Sequence, residues 1–212
     1  MTIKIKICGL KEKSNIDACI ENSADMIGFV FYPQSPRNIN TNQARILNKE
    51  YSSLIEIVAL VVNASHELID DIITNVGIRT IQFHGNEDVD YLESLKKKFD
   101  IKIIKVITLS SNITSKTINM YDDIVDYYLF DTPPPDSSNR PGGNGLVFDW
   151  NLINKLNINK EWILSGGLTP YNIKEAIEST GANIVDVSSG VENETGKKDN
   201  DLITNFIYNA KN

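Results

Sequence analysis

The feature that most constrains this chain is a repeated switch in periodicity. Short apolar, β-branched runs alternate with stretches whose apolar residues recur at helical spacing. The runs are Ile3–Cys8, Met26–Phe31, Ile57–Val62, Thr80–Phe83, Lys102–Ile107, Tyr127–Phe130, Glu161–Leu164 and Ile184–Val187, eight in all. Helices are expected near Ile16–Ile20, Thr41–Tyr51, Ser65–Val76, Val89–Phe99, Ile113–Ile124, Asp149–Leu156, Thr169–Thr180 and Asp199–Ala210. Ser65 is an N-cap type of residue, and Pro170 falls in a first helical turn, where its missing N–H costs nothing. Strand starts are spaced roughly 22–34 residues apart, the size of one βα unit. β-branched strands suit a parallel sheet covered by helices. Alternation fits a doubly wound open sheet or a closed barrel. Eight units favour the barrel, so the expected fold is α/β, a single-domain (β/α)8 TIM barrel over residues 1–212. That is short for a fold that typically takes about 250 residues. The loops must be lean, with nothing spare for a second activity.

Charge narrows the partners. Twenty-one basic residues against twenty-eight acidic ones give a net charge of −7, which argues against a nucleic-acid partner. It leaves open a small anionic ligand held by local N–H groups and one or two cations. Two cysteines, Cys8 and Cys19, make no disulfide framework and fit a reducing compartment. No apolar run is long enough to span a membrane, and the alternating Lys/Ile start lacks a signal peptide's apolar region. A cytoplasmic chain is expected.

The fold places the chemistry at the carboxyl ends of the strands. There the sequence sets Cys8, His84, Asp131, Ser165, and Ser188 with Ser189. On the first strand Ile3, Ile5 and Ile7 share one face, which should meet the helices. Lys6 and Cys8 then point inward. An inward Lys6 needs a partner. Because the first and last strands of a closed barrel are neighbours, Asp186 is the expected one; the alternative is that Lys6 snorkels to the amino end. A nearby ammonium would favour the Cys8 thiolate.

Each candidate has a plainer reading. Cys8 is either a small core residue or a base, and Cys19, on a helix face with Ile16 and Ile20, reads as core. Asp131 ends an apolar strand and is either a general acid or a loop anchor. Arg37 follows a loop stiffened by Pro33 and Pro36, fit to present a guanidinium to a carboxylate or phosphate, or to lie at the surface. Gly166-Gly167 and Ser188-Ser189-Gly190 follow the seventh and eighth strands, whose loops frequently bind phosphate in this fold. His84 could be catalytic or structural, and His66 should be exposed. The segment 133–145, with three successive prolines and Gly142-Gly143-Asn144-Gly145, has no core residues. It reads as a surface loop or as a lid. No metal-ligand spacing and no dinucleotide fingerprint is present.

Taken in order, several blocks resemble phosphoribosylanthranilate isomerases nearly end to end. They are Lys6-Ile7-Cys8-Gly9-Leu10, Gly28 through Arg37, Ile81-Gln82-Phe83-His84-Gly85, Phe130-Asp131-Thr132, Gly142 through Gly145 with Phe148-Asp149-Trp150, Leu164 through Pro170, and Val185 through Glu192. Asn144 and the proline run depart from the family's lid pattern. The resemblance implies an Amadori rearrangement of N-(5-phosphoribosyl)anthranilate to 1-(2-carboxyphenylamino)-1-deoxyribulose 5-phosphate in tryptophan biosynthesis. It implies Asp131 as general acid and Cys8 as general base. Arg37 would hold the anthranilate carboxylate, and Gly166, Gly167, Ser188, Ser189 and Gly190 the phosphate. His84, Gly143 and Asp186 would lie near the substrate. No cofactor is implied, because ring opening and a proton shift are acid–base work. The partner is a phosphorylated small molecule, and monomer or homodimer stays open. A histidine-pathway isomerase would use two carboxylates, which Cys8 argues against. A non-catalytic sugar-phosphate-binding barrel would have no need of both Cys8 and Asp131.

Overall fold

The computed structural model describes residues 2–110, 113–132 and 150–212. Eight parallel strands close into a barrel in chain order: β1 (Lys4–Cys8), β2 (Met26–Phe31), β3 (Glu56–Val61), β4 (Thr80–Phe83), β5 (Lys102–Thr108), β6 (Tyr127–Asp131), β7 (Trp162–Leu164) and β8 (Ile184–Val187). Closure is the β1–β8 pairing, with Lys6 opposite Asp186 and Ile7 opposite Val187. The helices are α1 (Lys13–Glu21), α2 (Thr41–Tyr51), α3 (His66–Asp71), α4 (Val89–Lys98), α5 (Ser115–Asn119), α6 (Ile173–Thr180) and α7 (Asn200–Lys211). Side chains cap several of them: Asn40, Ser65, Asp88, Thr114 and Asp199 each accept a backbone N–H from the first turn.

The expected helices differ from the observed ones where local geometry intervenes. The helix begun by Ser65 passes into a π-helical turn at Ile72–Val76, ended by Gly77 at φ +91. The helix expected over 113–124 keeps five residues. Between β6 and β7 a 3-10 segment, Trp150–Lys155, stands where a helix was expected. Regular helix starts at Ile173, three residues after Pro170, although the Thr169 carbonyl already accepts from Ile173. After β8 the chain forms a short antiparallel hairpin, β9 (Glu192–Glu194) and β10 (Lys197–Lys198), which the apolar pattern did not announce.

Two apolar layers follow from the period of two along each strand. Outward residues such as Ile5, Ile7, Phe29, Ile81, Phe83, Phe130 and Val185 pack against the helices in one large cluster. Inward, Met26, Val58, Ile104, Val106, Leu129, Ile163 and Ile184 form a separate cluster that fills the barrel. Cys8, Val30 and Leu60 make a third. Among the described residues, no helix is long and apolar enough to cross a membrane.

Candidate active site

Face parity decides what reaches the interior. Lys6, on the same face of β1 as Cys8, is fully buried, and its Nζ lies 2.8 Å from Asp186 Oδ1. The ion pair expected from strand neighbourhood is therefore present, and Lys6 does not snorkel. Ser165, just beyond β7, donates to the other Asp186 oxygen at 3.3 Å. Burial works against the Lys6 ammonium, but Asp186 and then Cys8 outweigh it, and its pKa is raised.

Cys8 closes β1 and is almost wholly buried. The barrel wall is tight around it: a Cβ on Gly28, its register partner, would come within 2.7 Å of the Cys8 sulfur. The thiol differs from expectation. Burial pushes its pKa up, and the charge of Lys6 does not offset this, because Lys6 is shared with Asp186, whose own charge pushes the same way. In the free protein Cys8 is held as a thiol.

Asp131, the last residue of β6, is buried. Its Oδ1 accepts the Thr132 N–H at 2.8 Å, and its Oδ2 lies 3.4 Å from His84 Nε2. That contact is within ionic range but is not aligned as a hydrogen bond, and His84 Nε2 has no hydrogen-bond partner among the described residues. Gly166, at φ +87, permits the turn beside Asp131; a Cβ there would overlap Thr132 Oγ1 and come within 3.1 Å of Asp131 Oδ1. Gly190 presses on the next loop, since a Cβ on it would overlap the Leu168 carbonyl. The loops after β7 and β8 are thus in contact, bringing Gly166 and Gly167 near Ser189 and Gly190.

Arg37 is buried, not at the surface. Its Nε and Nη2 meet the two carboxylate oxygens of Glu192 at 2.7 and 2.8 Å, a bidentate pair. Glu192 also takes Lys198 Nζ at 2.7 Å. Burial opposes the Glu192 charge, but the bonds from Arg37 and the charge of Lys198 carry its pKa down to about 2. Lys198 in turn donates to the Ser188 carbonyl at 2.9 Å and to Ser188 Oγ at 3.2 Å. Ser188 Oγ donates to the Cys8 carbonyl at 3.0 Å. The sequence reading assigned Glu192 and Lys198 no role. The signal available was the turn Thr195-Gly196 between charged flanks, with Gly196 at φ +81. Gly143 and the 133–145 segment lie outside the described residues.

Among the described residues no group of three His, Cys, Asp or Glu could hold a metal ion. A barrel that fills its inside with apolar side chains and gathers buried titratable groups where its strands end is built as enzymes of this architecture are. The chain is of that class, a (β/α)8-barrel enzyme.

Comparison with known proteins is specific. The family model described as N-(5'phosphoribosyl)anthranilate (PRA) isomerase matches residues 5–209. The N-(5'-phosphoribosyl)anthranilate isomerase of Rhodopseudomonas palustris (strain BisB5) is 39% identical over 211 residues, covering 100% of this chain and 97% of the relative. The phosphoribosyl anthranilate isomerase structure from Thermotoga maritima superposes with a TM-score of 0.85 at 34% identity, over 99% of this chain and 98% of that one. A phosphoribosyl anthranilate isomerase in complex with reduced 1-(o-carboxyphenylamino)-1-deoxyribulose 5-phosphate gives a TM-score of 0.82 at 33% identity, over 99% and 98%. The chain belongs to the N-(5'-phosphoribosyl)anthranilate isomerase family, the aldose–ketose isomerases of tryptophan biosynthesis.

Proposed function

We propose that this isomerase converts N-(5-phosphoribosyl)anthranilate to 1-(2-carboxyphenylamino)-1-deoxyribulose 5-phosphate with Asp131 as general acid and Cys8 as general base. The observation that carries the reading is that both side chains are buried on inward faces at the same, carboxyl end of the barrel. Asp131 gives its proton to the furanose ring oxygen. The ring C–O bond breaks as the anilino nitrogen's lone pair forms the Schiff base. Cys8 takes the proton from ribose C2, and the electron pair moves to the nitrogen, leaving an enolamine that tautomerises to the ketone. One proton is given and one is taken, so the two groups finish with their protonation exchanged.

The remaining residues have supporting places in this reading. Arg37 receives the anthranilate carboxylate. Gly166, Gly167, Ser188, Ser189 and Gly190 supply the phosphate loops, which the contact between the β7 and β8 loops brings together. His84 stands beside Asp131 and can follow its proton. Asp186 acts through Lys6, whose charge it balances under Cys8. Because Cys8 starts as a thiol, the base is available only in a minor fraction at neutral pH. The chemistry places opposed proton demands on two buried groups, one giving and one taking.

The test is the purified protein with freshly made substrate, followed by loss of anthranilate-ester fluorescence. Catalysed decay is expected. No decay above the buffer rate would overturn the reading.

A further inference from the structure

We propose that Glu192 is a positioning residue, which fixes the Arg37 guanidinium at the mouth of the site so that it can receive a ligand carboxylate. The inference rests on the reading of Arg37 given above and adds a residue and a device to it. Three observations carry it. First, Glu192 grips Arg37 through two parallel bonds, at 2.7 and 2.8 Å, with both side chains nearly inaccessible to solvent. A bidentate grip fixes the plane of the guanidinium as well as its place. It takes one N–H each from Nε and Nη2 and leaves three N–H bonds, two on Nη1 and one on Nη2, for a ligand.

Second, the Arg37 side chain passes directly over the residue after Cys8. A Cβ on Gly9 would come within 2.6 Å of Arg37 Cδ. The hairpin that bears Glu192 is anchored at the same place. Its Gly196 N–H donates to Glu192 Oε2 at 3.0 Å, and a Cβ on Gly196 would press on the Pro36 carbonyl at 2.8 Å. Lys11 Nζ donates to that carbonyl from the other side at 3.0 Å. The loop carrying Arg37 is held between α1's approach and the hairpin turn.

Third, the charges do not balance. Arg37 and Lys198 are both buried and share the single carboxylate of Glu192. Lys6 and Asp186 cancel one another nearby. Among the described residues this cluster holds one cation more than it has carboxylates, and burial, with the Arg37 charge beside it, lowers the Lys198 pKa; an anion joining the cluster offsets that cost. A ligand carboxylate on the remaining edge of the guanidinium supplies negative charge there. Glu192 therefore orients Arg37 without cancelling both cations; removing its charge adds to the local positive charge but frees the guanidinium to turn, and we take the lost orientation to dominate.

The discriminating experiment is competitive inhibition by two stable analogues, the reduced product 1-(2-carboxyphenylamino)-1-deoxyribitol 5-phosphate and its phenylamino counterpart lacking the carboxylate. Glu192→Gln keeps the shape and removes the charge. It should weaken the carboxylate-bearing analogue about tenfold and leave the other within about twofold, with KM rising more than kcat falls. Arg37→Ala should show the same selectivity, and the double variant should be no worse than Arg37→Ala alone. Equal weakening of both analogues, or of neither, by Glu192→Gln overturns the inference while Arg37→Ala keeps its selectivity. Loss of selectivity in Arg37→Ala itself overturns the reading of Arg37, and the inference with it. Should Glu192→Gln not fold, Glu192→Asp, too short to reach both nitrogens, is measured instead against the same pattern.

Discussion

Two buried lysine–carboxylate pairs sit on opposite faces of one sheet. Inside the barrel, Lys6 meets Asp186 at 2.8 Å. Outside it, under the helices, Lys105 of β5 meets Glu87 at 3.0 Å. Both are almost sealed from water, so both carry the desolvation cost of two charges. Their second contacts separate them. The inner pair touches Ser165 and lies next to Cys8. The outer pair holds backbone: Lys105 also donates to the Gly85 carbonyl at 2.7 Å, while Glu87 accepts the N–H groups of Gly85 and Asn63. The outer pair thus fixes the loop that follows His84 and ties it to the loop after β3, where Asn63 takes a left-handed φ of +47. The same chemistry serves a reacting group on one face and chain geometry on the other. What assigns the task is strand parity.

The comparison can be broken by experiment. The largest effects should fall on inward groups: Cys8→Ser and Asp131→Asn should each lower kcat by about 10²-fold or more in the fluorescence assay, with urea midpoints near the parent's. Near-normal turnover in both would remove the acid–base assignment. Next, Asp186→Asn and Glu87→Gln each strand a buried ammonium and should each cost about 3–5 kcal/mol in urea unfolding. Only Asp186→Asn should also cost the folded enzyme its activity. If both variants lose activity alike, inner and outer pairs do not differ in the way described.

Glu192 makes a third test. Its folded carboxyl lies at about 2 against an ordinary 4.5, so the folded state binds its proton more weakly than the unfolded chain does. Its contribution, about 3 kcal/mol, is fully present above the ordinary value and fades as pH falls towards the folded one. Glu192→Gln should flatten the acid limb of stability against pH, and an unchanged limb would disprove this. A smaller effect concerns Cys8. A thiol raised above its ordinary value must be deprotonated to act, so kcat/KM should climb about tenfold per pH unit through the neutral range if thiolate supply limits it. A flat profile there would show the base to be supplied otherwise.

Much of this was legible in the residues. Alternation of Lys6 and Cys8 with Ile5 and Ile7, together with closure of β1 on β8, was enough to place Lys6 opposite Asp186. The ends of β4, β6, β7 and β8 fixed where His84, Asp131, Ser165 and Ser188 would converge. The hairpin was not legible, because strands of three and two polar residues carry no apolar period. Lys105 was hidden for the opposite reason: it sits on the outer face of β5, between Ile103 and Ile107, where the pattern asks for an apolar residue. The raised Cys8 pKa was misjudged because proximity to Lys6 was visible in the sequence, whereas its division with Asp186 and the depth of burial were not.

The contacts that close the barrel also join distant parts of the chain. Lys6 and Asp186 are 180 residues apart, and Arg37 and Glu192 155 apart. Contacts of such separation close the largest loops, which are entropically the most expensive to form. Catalytic competence should therefore return on refolding only with the final strand, after helix content has recovered, and a circular-dichroism trace run beside an activity trace would show whether it does. In that sense turnover is a clock for the last step of folding: a chain that has built seven strands and most of its helices is still chemically silent.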